Sequence, residues 1–409
     1  MNYMSNSLSL HVRAHREATA PGRLPPPDAV AQAHSERLIE RLQREIAEQG
    51  GSISFARYME RVLYAPGLGY YVAGTRKFGA DGDFVTAPEI SPLFSRCLAR
   101  QVGQILERLG GGAVLEAGAG SGVMAADLLA ELASMEMLPD RYLILEVSAE
   151  LQERQRASLH RKVPHLLERV EWLERLPEAP LNGIVVANEL LDALPVHRFQ
   201  VERSGVKELR VGWSGEGFCW VTEAAGSQRL AKRLKEIAGG LPEGYRSEVG
   251  LAAGDWVSSM ARLLGRGALL LIDYGFPRHE YYHPQRNEGT LMCHYRHRAH
   301  TDPFVLPGLQ DVTAHVDFTS VAEAAVEAGL TLYGYTTQAY FLLANGLEQM
   351  LQEVMDTDDP VARLEWSRQA KMLTMPQEMG ELFKVMIAGK GLEGSPLSGF
   401  SLYDLRGKL

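Results

Sequence analysis

The sequence predicts an α/β fold in which strands and helices alternate around a largely parallel sheet. One observation is a short apolar run at 113–115, followed by a glycine-rich turn and a helical pattern over 123–132. Strand, glycine turn and helix form the opening unit of nucleotide-binding sheets. The other is the return of short apolar runs at 141–145, 183–187 and 267–272, which read as later strands. A chain of 409 residues is long enough for one large domain with insertions or for two domains.

The glycine turn indicates the kind of ligand. Glu116 ends the first strand, and Gly118, Gly120 and Gly122 follow at a spacing of two. Glycine lets the backbone approach a ligand closely and adopt angles that a side chain would forbid. A dinucleotide fingerprint would need its third glycine where Val123 stands, so that pattern fails. An acid before the glycines repels phosphate and suits a cationic amino acid, and the pattern resembles motif I of the S-adenosylmethionine (SAM) methyltransferases. An ordinary tight turn is the alternative.

A second acid follows the next strand. Glu146 ends the apolar run of 141–145. In folds of this class, an acid at that position accepts hydrogen bonds from both ribose hydroxyls of the ligand. Such a charge-assisted bond contributes roughly 1.5–3 kcal/mol. We therefore predict that Glu146 binds the cofactor ribose, with a surface carboxylate at a strand end as the alternative.

A third strand is predicted at 170–173, and the fourth, at 183–187, runs into a polar loop. In this fold the loop after the fourth strand faces the transferred methyl group, so Asn188 is predicted to bind the cofactor. Glu189 and Asp192 are candidate catalytic residues. The alternative is that Asp192 only caps a turn.

A polar, glycine-bearing segment precedes the helix that begins at Ser91 and Pro92. We expect it to line the cofactor pocket, with a solvated connection as the alternative. Its candidate residues are Gly82, Thr86, Pro88 and Glu89 for the cofactor and Asp83 for catalysis.

Strict alternation of polar and apolar residues over 311–318 predicts one strand. Asp311, Thr313, His315 and Asp317 would then share a face. His315 is a further catalytic candidate, and the alternative is that these groups only lead into the next helix.

Composition narrows the remaining possibilities. The net charge of −9 argues against a nucleic-acid partner, and no apolar run is long enough for a membrane span. Three scattered cysteines fit a reducing compartment and no structural zinc. The histidines between 279 and 300 alternate with arginines, which would repel a cation, so no metal site is predicted.

The expected organisation has five parts. They are a disordered tail (1–30), an N-terminal helical region with the pocket loop (31–110), the cofactor-binding half of the main domain (111–195), a β-hairpin insertion (196–250), and a second half (251–409) with a substrate or lid loop at 276–318. The last two strands, near 331–336 and 382–387, are expected to form an antiparallel edge pair. A transit peptide is the alternative for the tail.

Six motifs in order resemble those of the MidA family, which includes the complex I assembly factor 7 methyltransferases. They lie at 82–91, 115–122, 188–196, 272–275, 286–291 and 311–318. The resemblance runs from about residue 35 to the end of the chain. Ser95 and Ala65 depart from the family pattern, and neither touches the expected cofactor contacts.

The resemblance implies a seven-stranded, Rossmann-like class I SAM-dependent methyltransferase fold, with SAM as the cofactor. It implies protein arginine methylation of a subunit of the respiratory complex I type. A homodimer is left open. The expected compartment is the cytoplasm, or the mitochondrial matrix if the chain is eukaryotic.

Arginine is a demanding acceptor, because its pKa exceeds about 12. Glu189, helped by Asp83 or Asp192, would grip the guanidinium, and His315 would be a further proton acceptor. Two alternatives stay open at this point. One is a SAM-binding assembly chaperone without turnover, and the other is a methyltransferase with a different protein or small-molecule acceptor.

Overall fold

The computed structural model describes residues 24–72 and 86–409. These residues form two compact units, each assembled from separated stretches of the chain. Of the described residues, the first unit contains 24–72, 192–254 and 278–317, and the second contains 86–191, 255–277 and 318–409. Most of the tail predicted to be disordered lies outside the described residues, and the first described helix begins at Ala29.

The strands of the described residues are, in chain order, β1 (Ser52–Ser54), β2 (Ala113–Ala117), β3 (Arg141–Leu145), β4 (Val170–Leu173), β5 (Leu181–Asn188), β6 (His197–Glu202), β7 (Gly205–Trp213), β8 (Phe218–Glu223), β9 (Arg246–Val249), β10 (Leu264–Phe276), β11 (Met292–Tyr295), β12 (Arg298–His300), β13 (Asp311–Thr313), β14 (Val316–Asp317), β15 (Thr331–Thr337) and β16 (Phe383–Lys390).

The α-helices of the same residues are α1 (Ala29–Glu48), α2 (Phe55–Tyr64), α3 (Ala87–Ile90), α4 (Pro92–Leu109), α5 (Val123–Ser134), α6 (Ala149–Lys162), α7 (Gln228–Ile237), α8 (Leu251–Leu263), α9 (Arg278–Tyr281), α10 (Phe318–Glu327), α11 (Gln338–Ala344), α12 (Leu347–Met355), α13 (Pro360–Thr374) and α14 (Met379–Leu382). Short 3₁₀ helices occupy Pro164–Arg169, Ser398–Phe400 and Arg406–Lys408.

The second unit is built on a sheet with the strand order β15-β16-β10-β5-β2-β3-β4. The pairs β10–β5, β5–β2, β2–β3 and β3–β4 are parallel, so the carboxyl ends of these strands meet at one edge. The loops at this edge contain the predicted glycine turn and the predicted acids. This is the edge at which open α/β sheets bind their ligands.

The last two strands form the antiparallel pair that was predicted at one edge of the sheet. β15 is the outermost strand, and β16 lies between β10 and β15 and is antiparallel to both. β15 is therefore parallel to the strands before it. The helices α11–α14 join β15 to β16, and this long connection lets the last strand insert beside β10 rather than extend the edge.

The core of the second unit joins the sheet to the helix that precedes it. Leu98, Val102 and Ile105 of α4 are fully buried and belong to one apolar cluster with Val114 and Ile184 of the central strands. As predicted, α4 begins after Ser91, whose Oγ accepts from the main-chain N of Leu93 at 3.3 Å, with Pro92 in the first turn. This packing holds the amino end of β2 in place.

The first unit contains an antiparallel sheet with the order β1-β7-β6-β9, and β8 pairs with β7. β6, β7 and β8 lie within 196–250, where the sequence predicts a β-hairpin insertion. A smaller sheet has the order β12-β11-β13. The apolar face of α1 (Leu38, Leu42 and Ile46) packs in one cluster with α2 and β7.

The single strand predicted over 311–318 is interrupted. The structure has β13 and β14 on either side of Ala314 and His315. The main-chain N of Ala314 donates to the carbonyl oxygen of Asp192 at 3.0 Å, and that of His315 donates to Oγ1 of Thr290 at 3.1 Å. Because both donors have partners outside a strand ladder, the alternation of side chains does not continue through this point.

Within 24–72 and 86–409, no helix has both the length and the apolar character that a membrane crossing requires.

Candidate functional site

Glu116 lies at the carboxyl end of β2, as predicted, and its side chain is completely buried. The hydroxyl of Tyr142 donates to Oε2 at 2.6 Å, while Oε1 has no hydrogen-bond partner among the described residues. Burial raises the pKa of Glu116 to about 7, and the bond from Tyr142 acts in the opposite direction. An unsatisfied buried carboxylate oxygen indicates that a polar or cationic ligand group belongs beside it.

The glycine turn has the geometry that the sequence predicted. Gly118, Gly120 and Gly122 have φ values of 76°, 51° and 78°, in the left-handed region that favours glycine. A Cβ at Gly122 would lie 2.8 Å from Cα of Gln155. At Gly120 no described atom would lie within 4 Å of such a Cβ, so this part of the turn is open to a ligand.

Glu146 follows β3, the neighbour of β2, and its carboxylate is held by two donors. The main-chain N of Ser148 donates to Oε1 at 2.8 Å, and the side-chain amide of Gln155 donates to Oε2 at 3.3 Å. Burial raises the pKa of Glu146, and the bonds from Ser148 and Gln155 partly oppose this. The carboxylate is thus oriented at the edge of the sheet where a ribose would bind.

Gln155 is a residue that the sequence analysis missed. Its Nε2 also donates to the carbonyl oxygen of Gly120 at 3.1 Å, and its Oε1 accepts from the indole of Trp172 at 2.9 Å. One buried side chain of α6 therefore connects the glycine turn, the acid after β3 and strand β4. A glutamine in a helical pattern carries no local signal of such a role.

The described part of the predicted pocket loop forms the short helix α3. Thr86 precedes it, Pro88 is buried in its first turn, and Glu89 accepts a hydrogen bond from the hydroxyl of Ser121 in the glycine turn. This contact brings the loop and the turn together within the second unit. Gly82 and Asp83 lie outside the described residues.

Glu189 follows β5 and has a left-handed backbone with φ 52°, a conformation that is uncommon for a residue with a side chain. Its Oε1 accepts from the main-chain N of Ala87 at 3.3 Å and from Nδ2 of Asn188 at 3.1 Å. Asn188 is buried, and its Oδ1 has no hydrogen-bond partner among the described residues. Strained backbone with oriented polar groups is typical of functional loops.

Asp273 of β10 fixes this loop from the neighbouring strand. Its Oδ2 accepts from the main-chain N of Leu191 at 2.8 Å, and its Oδ1 accepts from that of Tyr274 at 2.9 Å. The side chain is almost fully buried. Asp273 therefore acts on the position of the Glu189 loop.

Asp192 begins the next segment of the first unit and is buried there among tyrosines. The hydroxyl of Tyr64 donates to the carbonyl oxygen of Ala193 at 2.9 Å, and that of Tyr71 donates to Oδ1 of Asp311 at 2.9 Å. Burial raises the pKa values of Tyr64 and Tyr71, and the nearby charges of Asp311 and Asp192 raise them further. These tyrosines are therefore hydroxyl donors at neutral pH.

His315 is buried in the same unit, on the interrupted segment between β13 and β14. The hydroxyl of Thr290 accepts a hydrogen bond from the main-chain N–H of His315. The same hydroxyl donates to Oε2 of Glu248 at 3.1 Å. Glu248 is fully buried and pairs with Arg198 at 3.2 Å. A buried ion pair thus anchors the backbone that carries His315.

In the described ranges, no group of three or more His, Cys, Asp and Glu side chains is arranged to hold a metal ion.

The residues of the second unit fit the cofactor that the sequence predicted. Glu116 offers an unsatisfied buried oxygen to a cationic amino-acid end, Gly120 leaves space against the turn, and Glu146 presents an oriented carboxylate at the next strand. Asn188 adds an unsatisfied amide oxygen. A single ligand with an ammonium group, a sulfonium and a ribose would satisfy these groups.

Comparisons with known proteins support the same cofactor. Residues 97–336 match the model of a family described as S-adenosyl-L-methionine-dependent methyltransferases. A solved structure of a COG1565 superfamily member from Burkholderia thailandensis, bound to S-adenosyl-homocysteine, is 48% identical, with a TM-score of 0.91, and the match covers 94% of this chain and 100% of that one.

Two relatives are named as enzymes of protein arginine methylation. The mouse protein arginine methyltransferase NDUFAF7, mitochondrial, is 30% identical over 81% of this chain and 80% of its own length. The zebrafish protein of the same name is 29% identical over 82% of both chains.

The sheet, the glycine turn and the two acids, taken with these matches, define an S-adenosylmethionine-dependent methyltransferase. The chain belongs to the MidA family of these enzymes.

Proposed function

We propose that the protein is a protein arginine N-methyltransferase whose acceptor is a subunit of the respiratory complex I type. The observation that carries the proposal is the match, over four-fifths of the chain, to relatives named protein arginine methyltransferases. The acidic loop after β5 supports it, because a carboxylate is the group that a guanidinium acceptor requires.

We also propose that the sheet of the second unit is the seven-stranded, Rossmann-like sheet of the class I enzymes. Its strand order and its antiparallel β16 support this assignment. The cofactor-binding half would then span 111–195 and the second half 251–409, with 196–250 as an insertion and 276–318 as a substrate loop. We propose Glu116, Gly118, Gly120, Gly122, Glu146 and Asn188 as cofactor residues, with Gly82, Thr86, Pro88 and Glu89 from the pocket loop.

When bound, SAM supplies an electrophilic methyl group on a sulfonium. The protein's task is to hold the acceptor nitrogen in line with that methyl, and positioning of this kind contributes roughly 7–11 kcal/mol. Glu189 is the candidate for the carboxylate that localises the guanidinium charge and accepts its proton. The bonds at its Oε1 from Ala87 and Asn188 fix its orientation before the acceptor binds.

Asp192, Asp83 and His315 are proposed as further catalytic residues. Asp192 is 4% exposed and His315 is 8% exposed, so each carries its polar group in a largely water-free environment where electrostatic interactions are strong. The backbone of both residues is held by hydrogen bonds through Ala314 and Thr290.

The role of Glu189 is tested by Glu189→Gln. Loss of a general base lowers the rate by about 10²–10⁴-fold, and we expect that loss with normal SAM binding in calorimetry. Glu178→Gln, an exposed residue of the same unit, is the matched control and should methylate at the wild-type rate. Wild-type transfer by Glu189→Gln would remove Glu189 from this role.

The acceptor is tested by incubating wild type and Glu146→Ala with labelled SAM and cell extract, followed by mass spectrometry. One labelled, arginine-containing protein that is lost in the variant supports the proposal. Label on a small molecule or on another residue type would identify a different acceptor. Binding of SAM without any transfer would instead indicate an assembly chaperone.

We propose the cytoplasm as the compartment of this protein, whereas the relatives named NDUFAF7 are mitochondrial. The mitochondrial matrix is the corresponding compartment for a eukaryotic member.

A further inference from the structure

Tyr142 and Glu116 form a buried, hydrogen-bonded pair inside the second unit. They lie on the neighbouring parallel strands β3 and β2, and neither side chain has any exposed surface. The 2.6 Å bond from the tyrosine hydroxyl occupies Oε2, and Oε1 has no partner among the described residues. One half of the carboxylate is therefore satisfied by the protein and the other half is not.

The surroundings of this pair are apolar. In the sheet, Glu116 is in register with Ile144 on one side and Val186 on the other. Tyr142 is the titratable group that contacts Glu116 within the described residues. Burial raises the pKa of Tyr142 well above its usual value, so Tyr142 stays a neutral donor at physiological pH.

We propose that Tyr142 is a positioning residue that holds Glu116 toward the cationic amino-acid end of SAM, and that SAM binding expels a proton from Glu116. The carboxylic acid of the empty site gives its proton to the buffer, and the resulting carboxylate pairs with the cofactor's ammonium group. The inference concerns the cofactor and is independent of the identity of the methyl acceptor.

The physical reason is the cost of an isolated buried charge. A single neutral hydrogen bond does not compensate the desolvation of a carboxylate, so the empty site favours the protonated acid near neutral pH. Burial places the pKa of Glu116 at about 7 in this state. A bound cation stabilises the charged form and lowers that pKa, so the proton leaves on binding.

The sign of the pH dependence follows from this linkage. Above about pH 7 the carboxylate is already charged in the empty site, and binding releases no proton. As the pH falls below 7, the proton must be displaced, and SAM affinity should fall by up to about tenfold per pH unit.

The test is calorimetry of the full chain with SAM between pH 5.5 and 8.5, in buffers of different ionisation enthalpy. The wild type should release about half a proton at pH 7 and close to one at pH 6. S-adenosyl-homocysteine keeps the ammonium group without the sulfonium charge, so it should release a similar number. Absence of proton release throughout this range would overturn the proposal.

Variants separate positioning from stability. Glu116→Gln should abolish proton release, and this readout stands even if Tyr142→Phe fails to fold. Tyr142→Phe should move the pH profile upward by about one to two units, because the carboxylate loses its donor. Tyr335→Phe, a fully buried tyrosine of the same sheet, is the control and should keep the wild-type profile. A wild-type profile in folded Tyr142→Phe would remove the positioning role.

Discussion

The side-chain amide of Gln155 donates to the carbonyl oxygen of Gly120 at 3.1 Å. This bond crosses from the middle of α6 to the glycine turn after β2. The same amide donates to the carboxylate of Glu146, so a residue outside every sequence motif links the loops of the two acids that we propose as cofactor residues.

Gln155→Leu should therefore weaken SAM binding. It removes two donated bonds, one of them to a carboxylate worth about 1.5–3 kcal/mol, so we expect an increase in Kd of about tenfold or more by calorimetry. Gln152→Leu is the comparison, because Gln152 donates only to the main-chain carbonyl of Glu146, at 2.9 Å. Equal affinities of the two variants would contradict the prediction.

Gly120→Ala should separate cofactor access from backbone strain. Gly120 and Gly215 both have positive φ, and in neither case would a described atom lie within 4 Å of an added Cβ. Alanine at either position should cost about 1–2 kcal/mol of unfolding free energy. Only Gly120→Ala should also weaken SAM binding, since its Cβ would occupy the open side of the turn.

Calorimetry on both glycine variants, beside wild type, checks this prediction. Unchanged SAM affinity in Gly120→Ala would show that the cofactor does not approach the turn at that point.

Thr290→Val should destabilise the first unit. Oγ1 of Thr290 contacts Oε2 of Glu248, the hydroxyl of Tyr281 and the main-chain N of His315, each at 3.1 Å. Removing it leaves buried partners unsatisfied, and we expect a loss of about 1–3 kcal/mol in urea unfolding. Thr301→Val, at an exposed position, should stay within about 0.5 kcal/mol of wild type. Similar stabilities of the two variants would show that the Thr290 contacts contribute little.

Glu208 should make the first unit sensitive to acid. Burial opposes its charge, but His197, with Nδ1 2.8 Å from Oε1, and the main-chain N of Gly226 outweigh burial and lower the pKa of Glu208. A lowered pKa contributes stability above the unfolded-state value of about 4.3, and that stability is lost as the pH falls through the folded-state value.

Glu208→Gln should therefore be less stable than wild type at pH 7, and the difference should shrink below about pH 4. Urea unfolding at several pH values measures it, with Glu216→Gln, an exposed residue of the β7–β8 turn, as the control. A pH-independent difference would indicate that the carboxylate charge does not contribute.

Local patterns predicted much of the second unit. The run from β2 through Glu116 to the glycines could be read directly, because backbone angles and strand ends are encoded by neighbouring residues. The positions of the acids after β3 and β5 were predicted in the same way, from the ends of apolar runs. The prediction of one continuous strand over 311–318 was wrong. The main-chain N–H groups of Ala314 and His315 donate to residues that are distant in the sequence and not to a neighbouring strand.

The sequence by itself determined the chemical groups at the strand ends: a glycine turn between two acids and a polar loop after β5. Only the tertiary structure decided which groups support them. The hydrogen bonds from Tyr142 to Glu116 and from Gln155 to Gly120 connect separate elements. The position of β16 between β10 and β15 was also decided only by the tertiary structure. Such contacts depend on how elements pack in space, and residues distant along the chain carry no periodic signal of their pairing.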